Sequence, residues 1–377
     1  MRTKALIALF AVLALVAAAC GDSEETTTTA AGTTTQAPGT TGETTTTTEA
    51  MTGTYTELCP PEEAPSTMTL GLWAGAQTDE VVLPGLANFM EETGVEVVST
   101  GDGTGDRLAK IRSAAGLDVA VVPVNEVTPL LNEGFILETD ENIPHYENLI
   151  DEAKIGGGYG TSLLVDVIAH NPEFVPEAPD SWLDILDEAY AGHIAVGNIP
   201  GANGYAALAM VNRELGGTDD DLMPALEAFA EASEGFLTLI DFGPGMEPLV
   251  ESGDLWIYPE IAGLLQIFIQ GGGPLELVIP PTGGAAMMNV AVIPVDNQHE
   301  GCSKALVAAL IGAEVQANYV ERFFYYPVND SVEIPADIRD LVLPRPGEEI
   351  VQIDWAAINA RAEEYIDFWN RNVAGGG

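Results

Sequence analysis

Positive charge is scarce in this chain. Its 377 residues include 13 Lys and Arg against 58 Asp and Glu, a formal net charge of −45. Such a body repels nucleic acid, and no cluster of Lys or Arg offers a local exception, so nucleic-acid binding is excluded. The acidity favours hydration at high salt and fits either a saline habitat or a cationic ligand. Histidine is also sparse. His145, His170, His193 and His299 are scattered, and none falls in a zinc spacing such as H-E-x-x-H. Neither a G-x-S-x-G elbow nor a G-x-x-x-x-G-K-[ST] phosphate loop occurs. No metal, cofactor or catalytic group is therefore expected. Paired carboxylates for glycoside hydrolysis are not singled out, but in so acidic a chain a surface carbohydrate-active enzyme stays as an alternative. No apolar run of membrane length follows the N-terminal one, so the body is not expected to span a bilayer.

What is present begins at the N-terminus. Arg2 and Lys4 precede an apolar stretch over residues 5–16, and Ala17-Ala18-Ala19-Cys20 follows. That stretch has the length of a signal h-region and is too short for the ~30 Å hydrocarbon core. Small residues ending in a cysteine resemble a bacterial lipobox, with Ala17 standing where Leu is commonest. The resemblance implies that residues 1–19 are a lipoprotein signal peptide. Cys20 would then carry lipid and anchor the protein to the outer face of the cell membrane. An ordinary secretory signal is the alternative.

Residues 20–65 are low complexity, with Thr runs at 26–29, 33–35 and 44–48. They lack the apolar periodicity needed for a core and read as a disordered tether. Roughly 310 residues remain, enough for two domains of ~100–200 residues each. With Cys20 lipidated, Cys59 and Cys302 are left. In an oxidising compartment an even pair reads as a disulfide, two separate buried thiols being the alternative.

Apolar periodicity predicts strands at 68–73, 95–98 and 119–122, alternating with helices at 81–92, 106–115 and 126–132. Such alternation implies a parallel sheet with helices on both faces. A long extended run at 159–171 opens a second α/β unit. It has helices at 182–190, 205–215, 222–232, 246–252 and 261–269, and strands at 194–196, 237–240 and 255–258. Strands at 275–279 and 289–293 lead out of it. A long helix at 303–319 and an amphipathic one at 355–372 close the chain.

Several segments carry a family resemblance. They are Phe89-Met90-Glu91-Glu92-Thr93-Gly94-Val95-Glu96-Val97, Asp118-Val119-Ala120-Val121-Val122-Pro123 and Leu130-Leu131-Asn132-Glu133-Gly134. Later come Ser181-Trp182-Leu183-Asp184-Ile185-Leu186, Val290-Ala291-Val292-Ile293-Pro294, Tyr326-Pro327-Val328-Asn329, Asp354-Trp355 and Phe368-Trp369-Asn370. In this order they resemble the bacterial extracellular solute-binding proteins of ABC importers, type II, on the polyamine-binding side. The resemblance implies an α/β two-lobed clamshell of the periplasmic-binding-protein type. Each lobe would be a mixed, mainly parallel sheet flanked by helices. Lobe 1 would hold residues 66–164 plus 285–377, and lobe 2 residues 165–284. It also implies a monomer that closes on a small-molecule ligand and then docks on an ABC permease and its ATPase. A ligand-sensing or adhesion lipoprotein would share the fold without that partner.

Candidate ligand residues lie in the loops after strands. Trp73 and Gln77 follow the first strand; Asn125 and Glu126 follow the third. Ser162 and Asp166 sit by the first crossing, Asn203 and Tyr205 open a helix, and Asp241 ends a strand. Tyr258 and Glu260 fall where the polyamine binders place an aromatic and a carboxylate. Aromatic faces beside carboxylates suit a polyamine or related organic amine. Against this, Trp73, Tyr205 and Tyr258 read equally as core aromatics, Asp166 as a solvent-facing edge residue, and Glu126 as a helix-start carboxylate. Gly201, Ala202 and Asn203 stand where polyamine binders supply further carboxylates, which leaves a single-amine or neutral ligand open. Two rivals share the fold. An oxyanion would sit on Gly101 to Gly105 with Arg107. Ferric iron would use the adjacent Tyr325 and Tyr326, a pair that reads better as packing.

Overall fold

The computed structural model describes residues 55–240 and 245–375. The signal stretch, Cys20, most of the Thr-rich segment and Asp241 lie outside the described residues.

Thr67–Trp73 (β1) buries Met68, Leu70 and Leu72 completely, as the period of a strand requires. Glu96–Gly101 (β2) and Val119–Pro123 (β3) pair with it in parallel. Parallel neighbours need crossovers, here the helices Ala87–Thr93 and Thr104–Arg112. Lys154–Ile155 (β4) then leads into Gly158–His170 (β5), in which all 13 residues are buried. Next come Ile194–Gly197 (β6), Phe236–Ile240 (β7), Ile257–Ile261 (β8), Glu276–Val278 (β9), Gly284–Val292 (β10) and Ile350–Val351 (β11).

The sheet runs β2-β1-β3-β10-β5-β8-β6-β7, with β4, β9 and β11 paired off this path. β5 joins its two halves. Residues Tyr159 to Asp166 pair antiparallel with β10, and Asp166 to His170 pair antiparallel with β8. Asp166 is the changeover, opposite Ala285 on one side and Ile261 on the other. The first half is β2, β1, β3, β10 and the start of β5. The second is the end of β5 with β8, β6 and β7, flanked by the helices Ala202–Glu214, Met223–Ala232 and Ala262–Gln270. The mixed α/β sheet in two halves agrees with the expected fold class.

Four expected helices are broken. Residues 303–319 form two, Glu300–Leu310 and Ala313–Phe323, because Gly312 takes an extended N-cap conformation between them. Residues 182–190 form two 3₁₀ segments, Trp182–Leu186 and Glu188–Tyr190, each started by its own side-chain cap, Ser181 and Asp187. Residues 77–93 are three short turns of helix around Pro84. The closing segment divides into Trp355–Asn359 and Ala362–Asn372.

The closing helix also corrects the expected lobe boundary. Residues 285–377 do not all return to the first half. The Trp369 ring lies 5.7 Å from Phe229, and its indole N–H donates to Asn198 Oδ1 at 2.6 Å. The Leu222 N–H donates to the Tyr365 hydroxyl at 3.3 Å. Ala362–Asn372 therefore packs on the second half, and the chain crosses between halves a third time.

At the other end, residues 55–65 belong to the packed body rather than to the expected tether. Tyr55 meets Phe89 edge-on at 5.8 Å, and Cys59 is buried in a disulfide with Cys302. Gly301 permits the approach, since a Cβ there would lie 2.3 Å from the Leu58 carbonyl oxygen. The bridge joins residues 243 apart. A Cys59→Ala/Cys302→Ala double variant is expected to lose about 2–5 kcal/mol of stability, read by urea or thermal unfolding. An unchanged midpoint would show that the bridge contributes nothing.

Candidate ligand-binding site

A cavity of about 460 Å³ lies where the two halves of the sheet meet. The first half contributes Trp73 at the end of β1, Gln77 beyond it, and Asn125 and Glu126 after β3. Leu164 of β5 and Met287, Met288 and Asn289 of β10 form its floor. From the second half come Asn203, at the start of Ala202–Glu214, and Ile261 and Leu264, where β8 turns into a helix. Phe323 and Tyr325 complete the enclosure. Strand ends and helix starts converge here, the usual place for a ligand in an α/β sheet. Gly263 sets the approach of that side, because a Cβ on it would sit 2.1 Å from the Phe323 carbonyl oxygen.

Each wall is fixed by its own contacts. The Arg107 guanidinium carbon lies 4.2 Å from the centroid of the Trp73 ring. Arg107 is fully buried and donates to the carbonyls of Val121 and Asp102. Burial lowers its pKa to about 10, which leaves it charged at neutral pH. Gln77 Nε2 donates to the Tyr319 hydroxyl at 3.0 Å, and Tyr319 stacks on Tyr325 at 5.7 Å. The Asn125 carbonyl accepts from Asn359 Nδ2 at 2.7 Å, which ties the loop to the closing segment. The buried Asn125 side-chain oxygen has no hydrogen-bond partner among the described residues.

Carboxylates supply the chemistry. Glu126 precedes Val127–Asn132 without a side-chain cap bond, and its Oε1 accepts from Asn125 Nδ2 at 3.3 Å. Burial raises its pKa, with Arg112 and the Asn125 amide opposing the rise. Glu260 is 4% exposed and is raised to about 7, chiefly by burial; its own chain's Ile261 N–H and Asn203 Nδ2, at 2.8 and 3.2 Å, hold it down. It lines an adjoining cavity of about 490 Å³ with Tyr258, Glu247 and Glu251, and Leu264 lines both cavities.

Asp166 is 0% exposed, and neither carboxylate oxygen has a hydrogen-bond partner among the described residues. The solvent-facing alternative is overturned, because β5 is a central strand. Leu164 and Ile261 share its face of the sheet and line the cavity between the halves, whereas Asp166 itself lines neither cavity. Burial holds its pKa well above the carboxylate range, and the Glu260 charge adds to this.

The structure thus brings Trp73, Gln77, Asn125, Glu126 and Asn203 to one cavity, and Tyr258 and Glu260 to the next. Ser162 is buried and accepts from Asn289 Nδ2 at 3.1 Å. Tyr205 is a core residue, as the alternative had it, and lines neither cavity. Sequence reasoning passed over Met287, Met288 and Leu264. Met287 and Met288 belong to a crossing strand longer than expected, since β10 starts at Gly284 rather than at 289, and Leu264 lies in the helix Ala262–Gln270.

The rival ligands fare less well. Arg107 is committed beneath Trp73, and Asp102 pairs with Lys110 at 2.6 Å, so the 101–105 loop offers no free cation to an oxyanion. Tyr325 is buried against Tyr319 and Phe323, and burial raises its pKa, which opposes a tyrosinate ligand.

The raised carboxylates fix the sign of a pH effect. An acid whose folded pKa is raised stays protonated in the fold while the unfolded chain has released its proton, so stability falls as pH rises through that interval. The ligand-free protein is expected to lose thermal stability as pH rises between about 4.5 and about 7, and Glu260→Gln should flatten that slope. An unchanged slope in the Glu260→Gln protein would remove Glu260 as its source; Asp166, raised by burial, acts with the same sign.

Comparison with known proteins agrees with this geometry. The family model described as bacterial extracellular solute-binding protein matches residues 86–343. The spermidine/putrescine-binding periplasmic protein of Escherichia coli (strain K12) is 23% identical over 321 residues, covering 78% of this chain and 90% of that protein. Among solved structures, a spermidine/putrescine ABC transporter substrate-binding protein from Streptococcus pneumoniae superposes with a TM-score of 0.65 at 18% identity, over 81% of this chain and 98% of that one. A periplasmic binding protein from Actinobacillus pleuropneumoniae with fructose-6-phosphate bound gives 0.69 at 16% identity, over 82% and 99%.

Proposed function

This chain belongs to the bacterial extracellular solute-binding protein family, and we propose that it captures a small organic amine between its two halves and delivers it to the permease and ATPase of an ABC importer. One observation carries the ligand class. The two adjoining cavities hold Glu126, Glu247, Glu251 and Glu260, and among the described residues neither is lined by a Lys, Arg or His. An ammonium group finds charge partners there, whereas a phosphate or carboxylate would find none and would be repelled by these carboxylates. The relatives named for spermidine and putrescine support the same class. A sugar phosphate, bound in one structural neighbour, is disfavoured by the same carboxylates.

Binding breaks no bond. The ligand touches both halves and biases the hinge at β5 and β10 toward closure by its differential affinity for the closed form. The protein acts as a monomer. Lipid on Cys20, with the Thr-rich segment as tether, keeps it beside the permease and raises the effective concentration of the second encounter.

Glu126→Gln should weaken amine binding by about tenfold or more, equivalent to about 1.4 kcal/mol, with unchanged circular dichroism. Calorimetry that found wild-type affinity would remove Glu126 from the site. A Cys20→Ala protein should be shed into the medium or keep its signal; normal membrane retention after cleavage would refute the anchor.

A further inference from the structure

We propose that the cavity where the two halves of the sheet meet selects a single ammonium carried on an apolar or aromatic body, in preference to a linear polyamine; this rests on the amine reading above and narrows it. Three observations converge. First, Glu126 is the sole carboxylate among the described residues lining that cavity. Leu164, Met287, Ile261, Leu264 and Phe323 make much of the rest apolar, and Gln77, Asn125, Asn203, Asn289 and Tyr325 add only uncharged polar groups. A second ammonium taken from water into such surroundings finds no charge partner among them, at a desolvation cost. An apolar body loses nothing by that transfer and gains from it.

Second, one face of the Trp73 ring is already taken by a cation. Arg107 is fully buried and lines no part of the cavity, whereas Trp73 does line it. The guanidinium 4.2 Å from the ring centroid therefore lies behind the ring as seen from the ligand. A ligand cation stacked on the open face would oppose a buried like charge across one ring thickness. The open face instead suits an apolar or aromatic group, which stacks on the ring without that penalty.

Third, the remaining carboxylates line the other cavity. Glu260, Glu247 and Glu251 belong to it, Leu264 lines both cavities, and Asn203 of the first is hydrogen-bonded to Glu260 of the second at 3.2 Å. A long chain reaching from Glu126 to those carboxylates would have to break that bond. An ammonium at Glu126, with its body across Met287 and Leu264 toward Trp73, leaves the bond intact.

The test is calorimetric titration of the wild-type protein with 2-phenylethylammonium, 2-phenylethanol, putrescine, spermidine, 4-aminobutyrate and fructose 6-phosphate. The expected result is 2-phenylethylammonium binding at least about tenfold more tightly than putrescine, spermidine or 4-aminobutyrate, with 2-phenylethanol weaker by a similar factor. Trp73→Ala should reduce the 2-phenylethylammonium affinity while the protein stays folded. Tighter binding of putrescine, spermidine or 4-aminobutyrate, or no binding of 2-phenylethylammonium beside measurable polyamine binding, overturns this inference and leaves the amine reading standing. Binding of fructose 6-phosphate with none of the amines, or equal affinity for 2-phenylethanol and 2-phenylethylammonium, overturns both.

Discussion

Strand β5 is hydrogen-bonded to two different neighbours along its length, and the placement of the other elements depends on that. Its first part pairs with β10 and its last part with β8, so one continuous strand belongs to both halves of the molecule. Every residue in it is buried, because helices and strands cover it throughout. A strand so placed disfavours charge on either face, and eleven of the twelve residues from Gly158 through Ala169 carry none. Asp166 is the exception, and it sits at the residue where the partner changes. A carboxylic acid there, with no hydrogen-bond partner among the described residues, is retained most simply in its protonated form.

The same junction sets the electrostatics of the site. Carboxylates are abundant everywhere on this chain, yet among the described residues lining the cavity between the halves Glu126 is the only one. Arg112 opposes the rise of the Glu126 pKa, and Arg107 is buried against Trp73 and spends its hydrogen bonds on backbone carbonyls. The site is therefore polarised by position rather than by composition: a cation behind one wall and an anion on the next. Overall net charge brings cations toward the protein. The local arrangement decides which kind of cation fits.

Much of the fold was legible in the sequence. β1, β3 and β5 declare themselves by period-2 or unbroken apolar runs, and β5 was read to within a residue or two at each end. The breaks in helices were less visible. Gly312, between Glu300–Leu310 and Ala313–Phe323, interrupts an apolar face that continues on both sides, so periodicity alone joins them. The route of the closing helix was invisible, because an amphipathic pattern states that a face is buried but not against what. Trp369 found Phe229 and Asn198 in the second half, over distances that no local pattern encodes. Candidate site residues in loops after strands were legible for the same reason that strands were: the chain direction fixes which strand ends share an edge. Met287, Met288 and Leu264 were not, since apolar residues in a strand and a helix look alike whether they face a core or a cavity.

Local chemistry sufficed for what depends on neighbours in sequence: the alternation of strand and helix, and the pairing of Cys59 with Cys302. Tertiary structure alone decided what depends on neighbours in space. It buried Asp166 without a hydrogen-bond partner among the described residues, set Arg107 over the Trp73 ring, and bonded Glu260 to Asn203. The reason is physical. A side chain's residue type fixes what it can offer, but its charge state and its availability to a ligand depend on desolvation and on partners brought from other parts of the chain, here separated by 57 residues for Asn203 and Glu260 and by 234 for Asn125 and Asn359.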